Sequence, residues 1–226
     1  MHGRRVAGNY CTRVHTDLDA LGLDWDALLP AAPGSLFLQR RFLAALHDSG
    51  AASAATGWQP ELIALEEEGH VVAAALTYRK FHSFGEYVFD WAWAEAYERH
   101  GLAYYPKGLC AVPFTPVPGP RLLARDALSR TALAGALVEH ARANGLPSLH
   151  VLFSQPADTA ALEQAGCLVR RGVQFHWFNH GYRDFEDYLA ALAQPKRKKV
   201  RAERRKVREA GVTCEVLRGS ELSEAD

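Results

Sequence analysis

The string FGEYVFDWAWAEAY places Glu86, Val88 and Asp90 at every second position, with Tyr87, Phe89 and Trp91 between them. On a strand that alternation sends two carboxylates to one side and three aromatics to the other. A carboxylate pair would then face a cleft, with Glu86 contacting substrate, while the aromatics enter a core. Asp90, beside two tryptophans at the strand's end, is the candidate for a carboxyl whose pKa apolar surroundings raise, able to orient or deprotonate an amine. The other reading is an acid that caps the helix after it. GVQFHWF repeats the pattern and puts Gln174, His176 and Phe178 on one face. There Gln174 would touch substrate and His176 would bind it or shuttle a proton, unless His176 is a histidine hydrogen-bonded within a sheet. In PFTPVPGPRLL the prolines fix a wall whose backbone groups, with Arg121 just inside the next strand, suit ligand contact or ordinary turns.

The second feature is charge. Lys196 to Arg208 holds nine of the 26 basic residues and one of the 26 acidic ones, so the rest of a formally neutral chain carries 17 against 25. After Pro195, Lys196, Arg197, Lys198 and Lys199 fall in the first turn of a helix, where the helix dipole disfavours each cation by about 0.3–1 kcal/mol. A counter-charge should offset this: a nucleotide diphosphate, a tRNA backbone, a CoA phosphate, or acidic side chains of the chain itself. Lys196, Arg197, Lys199, Arg201, Arg204 and Arg205 are the candidate contacts. A solvated helix with internal ion pairs is the alternative. No aromatic interrupts the tract, which argues against base stacking.

Other chemistries lack their residues. The ten histidines include no H-E-x-x-H pair, and no metal is expected. No G-x-S-x-G, G-x-G-x-x-G or Walker loop occurs, nor the R/Q-x-x-G-x-G/A loop that cradles acetyl-CoA pyrophosphate. Four cysteines without a C-x-x-C pair fit isolated thiols in a reducing, cytoplasmic compartment. No apolar run is long enough to span a membrane and no signal peptide is evident.

The elements that must position these residues follow from periodicity. A chain of 226 residues, 48% hydrophobic, buries a sizeable core. A short helix is expected over Asp19 to Leu29, closed by Pro30 and Pro33-Gly34, and another from Ser35 to Gly50. Two strands meet at the Glu67 to His70 turn, and EYVFDW adds a third to this antiparallel meander. Helices follow at Trp91 to Gly101, Ala127 to Asn144 and Asp158 to Ala165, with strands at SLHVLF and LVRRGVQFHWF. A helix from Asp184 to about Ala193 leads into the basic helix. VTCEVL then reads as a strand and SELSEAD as a helix start. The sum is an α/β (α+β) fold with a mixed sheet covered on both faces.

HSFGEYVFDWAWAEAYERHG, YYPK followed by VPFTPVPGPRLL, and GVQFHWFNHGYRDFEDYLAAL leading into KRKKVRAERRKV together resemble the FemAB-like N-acyltransferases, labelled peptidoglycan biosynthesis or recognition proteins, over Leu36 to Leu217. The resemblance implies two tandem GNAT-like domains. Residues 1–34 would form an arm and short helix and 35–183 the first domain. Residues 184–226 would form the basic connecting helix and the start of a truncated second domain, with a missing C-terminal domain as partner. It further implies transfer of an acyl or aminoacyl group, from acyl-CoA or aminoacyl-tRNA, to an amine acceptor. That acceptor would be a phosphorylated or peptide-linked cell-envelope precursor. The alternative is a non-catalytic recognition module that binds an anionic envelope precursor or RNA through the basic helix.

Overall fold

The structure, a computed structural model, describes residues 4–5, 10–21, 24–30 and 35–221. The Pro33-Gly34 breaker and residues 222–226 of SELSEAD lie outside them, as do residues 1–3 and 6–9 of the expected N-terminal arm, whose described part is not a loose arm but joins the sheet as paired strands. The described strands are β1 (Arg4–Arg5), β2 (Cys11–His15), β3 (Trp58–Glu67), β4 (His70–Lys80), β5 (Lys107–Cys110), β6 (Leu123–Ala124) and β7 (Leu149–Val151). The α-helices are α1 (Asp24–Ala27), α2 (Arg40–Asp48), α3 (Trp91–Arg99), α4 (Ala127–Ala143), α5 (Pro156–Gln164), α6 (Phe185–Ala191) and α7 (Gln194–Glu209). They fall into two compact units, Met1–Arg170 and Arg171–Asp226.

In the first unit the sheet runs β1-β2-β3-β4-β5-β7, with β6 also paired to β4. Neighbours are antiparallel except β5 and β7, which are parallel and joined by a crossover containing α4. Glu68 and Gly69 both take positive φ at the β3–β4 turn, as a two-residue hairpin that matches strand twist requires. Strand alternation separates two cores. Leu62, Ala64, Leu76 and Tyr78 pack with Trp25 and Leu43 on one face, and Ile63, Leu65, Ala73 and Ala75 pack with Leu133, Leu137 and Leu162 on the other. The sheet is thus sandwiched between α1–α2 and α4–α5. The cap of α4 is Asp126, which accepts from the Ser129 amide at 2.8 Å.

Three expectations change. EYVFDW is not a strand: the third antiparallel partner is β5, which pairs with residues Thr77 to Lys80 of β4. LVRRGVQFHWF and VTCEVL form no strand among the described residues. Their apolar residues lie open, Leu168 at 98%, Phe175 at 96% and Val216 at 91% exposure, so the alternation has neither a ladder nor a covering layer to fix it. The first expected helix is split into a 3₁₀ turn at Leu18–Leu21 and the single turn of α1. No helix among the described residues is long and apolar enough to cross a membrane.

Candidate functional site

Lys80 ends β4, Lys107 begins β5, and the ladder sets them directly opposite each other. Both are fully buried. Two facing lysines repel, and a buried charge needs partners, so this corner of the sheet requires anions. They come from the irregular segment between β4 and α3. Lys107 Nζ donates to Glu86 Oε2 at 2.9 Å, Asp90 Oδ2 at 2.5 Å and Ser83 Oγ at 2.8 Å, which uses all three of its protons. Tyr104 donates its hydroxyl to Asp90 Oδ2 at 2.7 Å, and that hydroxyl lies 3.3 Å from His150 Nε2 on β7. The Ser83 and Tyr105 hydroxyls are 2.8 Å apart. Lys80 Nζ sits 3.7 Å from the centroid of the Trp58 ring, donates to the Phe84 carbonyl and lies 3.2 Å from His82 Nδ1.

Residues 86–91 keep a period of two in exposure without being a strand. Glu86 and Asp90 point inward, whereas Phe84, Tyr87, Phe89, Trp91 and Trp93 stand exposed. This reverses the expected placement of aromatics in the core, because Lys107 supplies the charge that lets the carboxylates be buried. Tyr87 adopts φ 57°, the left-handed region that aromatic residues seldom enter. Gly85, at φ 80°, lies so close to Phe114 that a β-carbon would sit 2.7 Å from its ring.

Asp90 also departs from both sequence readings. It precedes α3, yet its side chain makes no capping hydrogen bond. Nor is its pKa raised: burial pushes it up, but hydrogen bonds from Lys107 and Tyr104 outweigh burial and hold it below the usual carboxylate range. The raised carboxyl is Glu86, where burial outweighs the attraction of Lys107. Burial also brings Lys80 down to about 8. One oxygen of each acid, Glu86 Oε1 and Asp90 Oδ1, is buried without a hydrogen-bond partner. Glu86, Asp90 and His150 each offer a ligand atom, all within 4.8 Å of one another, so this trio could hold a cation. The Lys107 ammonium already donates to both of its carboxylates.

His150, pushed down to about 4 by burial and then by Lys107, carries a consequence for stability. An unfolded histidine takes a proton below about pH 6.5, whereas the folded one resists until about 4. Between those values the unfolded state binds more protons, so this group's contribution weakens stability as pH falls, by on the order of 3 kcal/mol at most. Urea denaturation at pH 7, 5.5 and 4 should show a flatter decline in His150→Gln than in the wild type. Parallel declines would contradict a neutral, half-buried His150.

The remaining sequence candidates lie elsewhere. Arg121 is buried, and its guanidinium donates to the carbonyls of Leu152, Pro120 and Val117 at 2.7, 2.9 and 2.7 Å, tying the proline-rich loop to the end of β7. Gln174 and His176 are exposed in the second unit, with the His176 ring stacked on Phe178. On α7, Arg201 pairs with Glu186 at 2.6 Å, Lys199 with Glu203 and Arg205 with Glu209. Arg197 donates to the Ala190 carbonyl, and Arg204 lies 4.4 Å from the Phe185 ring centroid. Among the described residues Lys196 forms no ion pair. The protein's own groups therefore meet most of these cations. Lys80, Tyr104, Lys107 and His150 escape a reading by motif. The one available signal for Tyr104 and Lys107 is their place in YYPK, among the strings that carry the family resemblance.

Compared with known families, residues 19–226 match the FemAB-like family, described as peptidoglycan biosynthesis/recognition. No curated protein and no solved structure matches the chain.

Proposed function

This chain belongs to the FemAB-like family, and on that premise we propose that it is an N-acyltransferase whose acceptor amine is held at the Lys107 cluster. The observation that carries the reading is the pair of buried, unpartnered carboxylate oxygens, Glu86 Oε1 and Asp90 Oδ1, beneath a row of exposed aromatics. Buried acceptors of this kind are costly unless something donates to them, and an amine does. The GNAT-like reading draws support from antiparallel strands followed by the parallel β5–α4–β7 unit.

In the reaction the acceptor nitrogen attacks the donor carbonyl carbon and forms the C–N bond. The thioester C–S bond of an acyl-CoA, or the ester C–O bond of an aminoacyl-tRNA, breaks. The amine must also give up a proton. Asp90, held ionised, orients the nitrogen, and Glu86, with its raised pKa, receives that proton and passes it to the departing CoA thiolate or tRNA ribose oxygen. Lys107 keeps the pair together throughout. Entry requires displacement of the segment around Phe84 to Phe89, which has no strand pairing to break. The acceptor we favour is an amine-bearing cell-envelope precursor, and the compartment we favour is the cytoplasm.

The test is mass spectrometry of a UDP-linked peptide precursor incubated with the chain and either acetyl-CoA or aminoacyl-tRNA. We expect a mass increase of one acyl or aminoacyl group. Glu86→Gln and Asp90→Asn should each lower the rate by about 10²-fold or more. No transfer from either donor, or undiminished rates in both variants, would overturn the reading.

A further inference from the structure

In the second unit, Trp177, Asn179, Tyr182, Asp184, Phe185 and Tyr188 line a cavity of about 470 Å³. Trp177 and Tyr182 lie 6.3 Å apart at 29°, while Tyr188 meets Trp177 at 81° and Tyr182 at 72°. Ring faces and edges therefore border an open groove, with Trp177 63% and Phe185 40% exposed. The polar groups are specific. Asn179 Oδ1 accepts from the Gly181 and Tyr182 amides, each at 3.0 Å, which fixes the turn carrying Tyr182. Asp184 Oδ1 accepts from the Asp187 amide at 2.8 Å and caps α6, which carries Phe185 and Tyr188. Both supports are local hydrogen bonds of turn and cap, so the rings are held by the backbone.

We propose that this open aromatic groove binds an organic ammonium group. Aromatic faces are electron-rich, and several of them around one space, next to a carboxylate, favour a cation over a neutral group of the same shape. The protein already uses this property here: the Arg204 guanidinium lies 4.4 Å from the centroid of the Phe185 ring. The site is independent of the Lys107 cluster and of the acyl-transfer reading.

The probes are choline, its uncharged carbon isostere 3,3-dimethylbutan-1-ol, and n-butylammonium, titrated into the whole chain by NMR. Both cations should bind, and the alcohol should bind about tenfold more weakly than choline, as loss of the cation–π attraction requires. Trp177→Leu should weaken choline by about tenfold. Asp184→Asn retains an N-cap residue and so leaves α6 formed. It should weaken n-butylammonium, which donates hydrogen bonds, more than choline, which lacks N–H groups. Equal binding of choline and the alcohol to the wild type would overturn the proposal. So would absence of binding by either cation, or binding that Trp177→Leu and Asp184→Asn both leave unchanged.

Discussion

Lys107→Met is expected to destabilise the protein by about 3–5 kcal/mol, because removing one partner of a buried ion pair leaves the other charges uncompensated. The fall in Tm should be on the order of 10 °C. Methionine retains most of the lysine stem, so little packing is lost, and the cost comes from Glu86 and Asp90 left side by side at 3% and 1% exposure. The pH dependence separates this cause from a cavity. Without Lys107, both carboxyls have folded pKa values above their unfolded ones. Their contribution is then fully present below the unfolded pKa and is lost as pH rises through the folded value. The deficit of Lys107→Met relative to wild type should therefore shrink as pH falls from 7 to 4. A deficit independent of pH, measured by denaturant unfolding, would mean that the carboxylates do not need this ammonium.

Asp158→Ala should be of comparable size. Asp158 is fully buried at the start of α5, accepts from the Arg121 and Leu122 amides at 2.7 and 3.3 Å, and has Arg130 Nε at 3.2 Å. Alanine would leave two backbone donors and a guanidinium without their acceptor, a loss of about 3–5 kcal/mol. Asn keeps one acceptor oxygen and should recover part of that. The disturbance should reach the loop held by Arg121, so hydrogen exchange at residues 113–122 should quicken in Asp158→Ala. Unchanged exchange there would show that the Arg121 guanidinium secures the loop by itself.

Elements with their own local signals were legible in the sequence. The length and Asp126 cap of α4, the turn residues between β3 and β4, and Pro195 near the start of α7 are written in adjacent residues. A period of two is weaker information. In β3 and β4 it reports two buried faces of a paired strand. In 86–90 it reports inward acids and outward rings on unpaired backbone, and in 168–178 it forms no strand among the described residues. Glu86 and Asp90 were visible as a pair. Their pKa shifts were not, since these depend on Lys107, 17 residues beyond Asp90, arriving opposite Lys80 through the β4–β5 ladder. A lysine before a four-residue strand reads as a solvated end until the ladder is known. The cations of α7 were equally plain, but that Glu186 and Phe185 meet Arg201 and Arg204 is a tertiary fact.

The most direct test of the account combines Lys107→Met with Glu86→Gln and Asp90→Asn, so that the ammonium and the two carboxylates it pairs with are lost together. Replacing a whole buried ionic group is far less costly than breaking it, and the triple variant should regain most of the Tm lost in Lys107→Met. Assayed beside the wild type for transfer to the UDP-linked peptide precursor, it should be folded and at least about 10²-fold slower. A folded triple variant that transfers at the wild-type rate would make the cluster a device of stability alone.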